Sequence, residues 1–243
     1  MGRAHEVRAA SMAKTSAMKS KLYAKFGKEI YMAAKNGDPD PDSNLALKRV
    51  IIRAKQNQVP ADVIKRNIEK AKGGTGEDYY PIRYEGFGPG GCTLIVECMT
   101  DNVNRTFGEV RSCFTKTGSK LGVAGSVTYM YTYCAKISVE GIDEDEALEA
   151  LMNAECEVTD LQFEDGVVMI TGAPHELDHM KDALTETGKE LEFLEDSVTY
   201  LPQEYIELSD EDRAKLQRFI DMTNELDDVQ EVFHNVLMPS EEE

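Results

Sequence analysis

The apolar residues of this 243-residue chain change period near Gly76, and that change limits its fold more than any other feature. Before it they recur at helical spacing. After it, short β-rich runs broken by glycine and Asx turns alternate with further helical stretches. Such an order excludes a single bundle or a single sandwich and predicts a multidomain α+β protein.

In the first segment, residues 1–76, Arg3, Arg8 and Lys14 lie in an arm rich in Ala and Ser. From about Lys19, the residues Leu22, Phe26, Ile30 and Ala33 form one helical stripe. Lys21, Lys25, Lys28 and Lys35 line another face of the same helix. Asn36-Gly37-Asp38-Pro39 stops it, and Asp42 or Ser43 is expected to cap a second helix with the apolar face Leu47, Val50, Ile51 and Ala54. Lys48, Arg49, Arg53 and Lys55 flank that face. Pro60 suits the start of a third helix, which buries Ile64, Ile68 and Ala71 and ends at Gly73-Gly74. It carries Lys65, Arg66, Lys70 and Lys72. The expected product is a small three-helix bundle with a basic exterior.

Charge separates the same two parts. Residues 1–76 contain 16 Lys and Arg against 7 Asp and Glu, a net of +9, whereas residues 77–243 carry −27, for −18 overall. A polyanion is attracted to one end and repelled by the other. The expected nucleic-acid contacts are Lys14, Lys19, Lys21, Lys25, Lys28, Lys48, Arg49, Arg53, Lys55, Lys65, Arg66, Lys70 and Lys72. Lysine predominates, which suits phosphate contact better than base readout. No run approaches the ~18 apolar residues of a membrane span. The basic stripes lack the exposed apolar face of a membrane-surface helix. The basic opening runs on into a helix, so it is read as part of the working protein and not as a presequence.

In the second segment, Tyr79–Tyr84, the run Glu85-Gly86-Phe87-Gly88-Pro89-Gly90-Gly91, and Cys92–Met99 read as strand, turn, strand. The glycines match G-x-G-x-x-G, but a β-rich run follows them where a dinucleotide fingerprint needs a helix. A helix with Val103, Phe107, Val110 and Phe114 comes next, then an aromatic strand from Gly125 to Tyr133. Arg105 and Arg111 are isolated cations here, expected to pair within the fold, with a secondary nucleic-acid contact as the alternative. From Lys136 the order is strand, helix (143–153), strand (156–163), strand (167–171), helix (174–187), strand (190–201), with Asp165-Gly166 as a hairpin turn. This is the ferredoxin-like βαββαβ order. A strand at 205–208, a helix at 209–226 and a final strand at 229–236 are expected to return to the first sheet. The full expectation is an N-terminal three-helix bundle (1–76) followed by two α+β domains, one (135–202) ferredoxin-like and inserted in the other (77–134 plus 203–243).

His175-Glu176-Leu177-Asp178-His179 spells H-E-x-x-H, the zinc-protease signature. Pro174 puts His175 in a first helical turn, and Leu177, Met180 and Leu184 already supply the core face, so both histidines are expected to point to solvent with no metal. Five irregularly spaced cysteines without a C-x-x-C pair suggest buried thiols in a reducing compartment. No nucleophile–base set is legible, and neither enzymatic activity, cofactor nor small-molecule substrate is expected.

Tyr84-Glu85-Gly86-Phe87-Gly88-Pro89-Gly90-Gly91, Leu94–Asn102, Asn104-Arg105-Thr106, Glu109-Val110-Arg111, Gly125–Tyr129 and Ile64–Ala71 resemble the YebC/PmpR family over essentially the whole length. The opening departs from it: Gly2-Arg3-Ala4-His5 stands where members carry a Gly-His-Ser-Lys-Trp-like segment. The resemblance implies a cytoplasmic three-domain protein that acts in gene expression. Members are described as probable transcriptional regulators that bind DNA, and relatives act in translation on the ribosome. The expected partner is therefore DNA or, alternatively, ribosomal RNA on the ribosome, with the acidic domains open to protein partners.

Overall fold

The computed structural model describes residues 16–73 and 78–237, with the side chains of 16–20 excepted. The head begins with α1 (Ser16–Lys35), followed by α2 (Leu45–Gln56) and α3 (Ala61–Lys72). Phe26, Ile30, Ala34, Leu47, Ile51, Ala54, Val59 and Ile64 make its core. The cap of α2 is neither Asp42 nor Ser43 but Asn44. Its side chain accepts from Leu47 N at 3.0 Å while its amide donates to Ala33 O at 2.9 Å and Asp38 O at 2.7 Å. An amide accepts at the cap and still has two hydrogens to donate to the preceding loop, where a carboxylate has none and a hydroxyl one. Gly27 lets α3 approach: a Cβ there would sit 2.9 Å from the Asn67 amide.

Next come β1 (Tyr80–Phe87), β2 (Thr93–Thr100), α4 (Val103–Lys116) and the short β3 (Lys120–Leu121). The chain returns to this domain with α7 (Asp210–Asn224) and β8 (Val229–His234), giving an antiparallel sheet in the order β3-β1-β2-β8. Leu94, Ile95 and Val96 of β2 are fully buried, and Phe114 meets Phe219 edge-on, ring centroids 4.8 Å apart, where α4 crosses α7. The glycine run is turn and packing chemistry. Gly90 has φ +63°, and a Cβ on Gly86 would lie 2.4 Å from Lys120 O and 2.5 Å from the Phe114 ring. Glu85, buried between them, accepts from Gly125 N at 2.8 Å and Val127 N at 2.9 Å and so fixes the loop after β3.

Between those two parts runs the ferredoxin-like unit: β4 (Tyr131–Glu140), α5 (Glu144–Asn153), β5 (Val158–Glu164), β6 (Val167–Gly172), α6 (Leu177–Thr185) and β7 (Glu192–Pro202). Its sheet order is β5-β6-β4-β7, with every pair antiparallel. Ile137, Val139, Leu151, Ile170, Met180 and Leu184 lie at the centre of its core. Asp165 and Gly166, both at positive φ, form the expected hairpin turn.

Three sequence expectations shift. Of the expected strand Gly125–Tyr133 only the last three residues lie in one: Gly125 has φ +82°, Thr128–Met130 is a 3-10 turn, and β4 begins at Tyr131 and runs unbroken through Cys134 and Ala135 against Thr199 and Val198. Residues 131–134 therefore belong to the ferredoxin-like sheet. The segment 205–208 makes no strand, only an isolated parallel bridge from Ile206 to Val236. The helix beginning at Pro174 opens as a 3-10 turn, Pro174–Glu176, before α6. Among the described residues, no helix is long and apolar enough to cross a membrane.

Candidate nucleic-acid interface

Four described lysines of α1, Lys21, Lys25, Lys28 and Lys35, are turned to the protein. Lys28 Nζ donates to Met99 O at 3.1 Å, Asp227 O at 2.8 Å and Asp228 Oδ1 at 3.1 Å. It also lies 5.3 Å from the centre of the Tyr79 ring. Lys25 Nζ donates to Gln230 O, and burial, partly offset by Glu231, pushes its ammonium below the ordinary lysine range. Lys21 Nζ is enclosed without a hydrogen-bond partner among the described residues. Lys35 pairs with Asp78 and faces the Tyr31 ring. The α1 face that sequence periodicity assigned to phosphate is thus the seam along which the head docks on the β2–β8 edge. A helical wheel shows that a face lies outside its own bundle, and the seam arises because a second domain covers it.

Asp228 is the hub of that seam. It is 3% exposed, and besides Lys28 it accepts from Thr100 Oγ1 at 3.0 Å, Thr106 Oγ1 at 2.8 Å and Arg105 Nη2 at 2.6 Å. Burial pushes its carboxyl up, but the hydrogen bonds from Arg105, Thr106, Lys28 and Thr100 outweigh it and bring the pKa down to about 2. Arg105 also binds Asp101 at 2.6 Å, and its guanidinium is held above the ordinary range chiefly by Asp228. Arg105 accordingly serves the fold, as the first of its two expected roles had it, whereas Arg111 is exposed on α4. No sequence pattern pointed to Asp228. The one available signal was that an isolated arginine in an acidic body needs a counter-ion.

Within the described part of the head, the cations left on the surface sit on α2 and α3. Lys48, Arg49, Lys55, Lys65, Arg66, Lys70 and Lys72 are all exposed. Arg53 differs: it is half-buried, paired with Glu29 and lies over Phe26. Lys72 bonds Glu69 at 2.9 Å in an exposed pair of small energetic weight. On one flank of α3, Lys55, Lys65 and Lys72 line an open cleft of about 490 Å³. On the other, Arg66 and Lys70 line a cleft of about 430 Å³ with Tyr23, Asn67 and Tyr79. Leu45 and Ile52 add exposed apolar surface to α2. Lys14, and the side chain of Lys19, lie outside the described residues.

Elsewhere the H-E-x-x-H segment is arranged unlike a protease. His175 and His179 are exposed as expected, but His179 Nδ1 lies 2.8 Å from Glu176 Oε2, and Cys156 joins that pair.

A basic three-helix head followed by two α+β domains, one of them ferredoxin-like, defines the class of architecture. Residues 3–74 match the TACO1/YebC N-terminal domain, and residues 79–236 match the TACO1/YebC second and third domains. A probable transcriptional regulatory protein of Alteromonas mediterranea is 53% identical over 241 residues, 99% of this chain and 100% of the relative. A protein of the same description from Vibrio cholerae is 52% identical over 235 residues, covering 97% and 98%. The crystal structure of a conserved hypothetical protein from Aquifex aeolicus matches at a TM-score of 0.78 and 35% identity, over 95% of each chain. This chain belongs to the TACO1/YebC family.

Proposed function

We propose that the chain is a regulator of gene expression that binds DNA through the exposed cations of α2 and α3, acting in the cytoplasm by binding and not by catalysis. The observation that carries this reading is the division of labour among the basic residues. Lys25, Lys28 and Lys35 of α1 are engaged within the protein, while Lys48, Lys55 and Lys65 stand in solvent on neighbouring helices. Each phosphate such a group neutralises releases counterions and steepens the salt dependence of binding. The names of the relatives, probable transcriptional regulatory proteins, favour DNA as the polymer.

A second reading, a ribosome-associated translation factor, is favoured by the cleft of Tyr23, Tyr79, Arg66 and Lys70. Aromatic rings beside cations suit unpaired bases, which ribosomal RNA offers and a closed duplex does not. The test measures binding of the full chain to a promoter duplex and its co-sedimentation with ribosomes, each across a salt series. Replacing Lys48, Lys55 and Lys65 together by Glu is expected to weaken the physiological interaction at least tenfold and flatten its salt slope by about 3. Unchanged affinity for both targets would remove this face as the contact. Sequence-selective duplex binding favours the first reading; salt-sensitive ribosome binding without it favours the second.

A further inference from the structure

The ferredoxin-like unit brings three different donors together from separate segments. Cys156 lies in the turn after α5, Glu176 in the 3-10 turn, and His179 in the first turn of α6. One ligand atom from each falls within 4.8 Å of the others. A fourth donor is near: His175 Nε2 is 3.5 Å from Glu176 Oε1.

The backbone fixes this grouping. Cys156 N donates to Leu151 O at 3.0 Å, Val158 N to Cys156 O at 3.0 Å, and Ala173 N to Glu157 O at 3.2 Å. The amide of Glu157 in turn donates to Glu176 Oε2 at 3.2 Å. Glu176 is 9% exposed, yet no Lys or Arg pairs with it among the described residues; its charged neighbours can only be the two histidines. A buried carboxylate without a permanent counter-ion is costly, and a divalent cation among these donors would supply the missing charge.

We infer that Cys156, Glu176 and His179, with His175 within reach as a fourth ligand, form a binding site for a thiophilic divalent cation of the zinc class. A thiolate, an imidazole and a carboxylate are the donor set zinc accepts in tetrahedral geometry, where ligand bonds of about 2.0–2.3 Å place donor atoms roughly 3–4 Å apart. The three donor atoms lie within 4.8 Å of one another, and exposed His179 can adjust the geometry by side-chain rotation. In binding, the ion displaces the proton between His179 Nδ1 and Glu176 Oε2 and takes Cys156 as thiolate, and both this proton and the thiol proton pass to solvent. The arrangement is not that of a zinc protease. Glu176, which would have to stand free beside a metal-bound water, is itself a ligand here. The site would tie the start of β5 to α6 and goes beyond the H-E-x-x-H spacing, because Cys156 is distant from that motif in sequence.

The experiment uses the full chain stripped with a chelator, titrated with Zn²⁺ against a chromophoric competitor and with Co²⁺ followed by absorption. One ion per chain and a thiolate-to-cobalt charge-transfer band are expected. Cys156→Ser should abolish the band, and His179→Ala should weaken zinc binding at least about tenfold. If Cys156→Ser fails to fold, His179→Ala, at an exposed position, still decides the matter. Zinc affinity unchanged in His179→Ala, or cobalt bound with no thiolate band, would overturn the site. Nucleic-acid binding is measured separately, so neither result depends on the other.

Discussion

Asp228 concentrates the consequences of single side chains in this fold. A carboxyl whose folded pKa lies below its ordinary value adds stability above that ordinary value and loses it as the pH falls toward the folded one. For Asp228, going from 3.8 to about 2, the contribution is about 2 kcal/mol and fades as acid is added between about pH 4 and pH 2. Asp228→Asn turns an amide toward Lys28 and Arg105 and leaves both under-neutralised. Thermal or urea unfolding at neutral pH should show a loss of about 3 kcal/mol and a flatter acid limb. A loss under about 1 kcal/mol would mean the hub matters little. Gly86→Ala tests the glycine run in the same assay. With Lys120 O and the Phe114 ring both closer than a Cβ tolerates, about 2 kcal/mol or more should be lost.

At the scale of elements, α1 separates docking from binding. Lys28→Met removes three hydrogen bonds that join the head to the β2–β8 edge, so hydrogen exchange of the α1 amides should quicken. The salt slope of nucleic-acid binding should stay as in the parent. A slope reduced as much as by the α2–α3 substitutions would return α1 to the interface. This division also marks what could be read from the sequence. The three helices were legible because Leu22, Phe26, Ile30 and their counterparts keep one period, and the ferredoxin-like order because Asp165-Gly166 and the alternation of strands and helices are local signals. The covered face of α1 was not, since Lys28 and Asp228 are 200 residues apart, nor was the Arg105–Asp228 pair across 123. Asn44 escaped notice because Asp42 and Ser43 are equally good caps in isolation; its bonds to Ala33 and Asp38 decide between them.

Across the whole molecule, the contrast between +9 and −27 sets how a polyanion meets the protein. Among the described residues, exposed cations are densest on α2 and α3, while Asp and Glu outnumber Lys and Arg over residues 77–243, so a duplex would be favoured at the first and repelled along most of the rest. Affinity should therefore be lost quickly with salt, with a slope of about −5 if six phosphates are engaged. Filter binding or fluorescence anisotropy between low and physiological salt measures this, and a near-zero slope would exclude phosphate contact as the source of affinity. Lys28 and Asp228 clamp the head to the sheet edge, so no free hinge lies behind α1 at that point. A ligand that occupied α2 or α3 would therefore meet a head fastened at several points to one sheet edge, and not a loose tether.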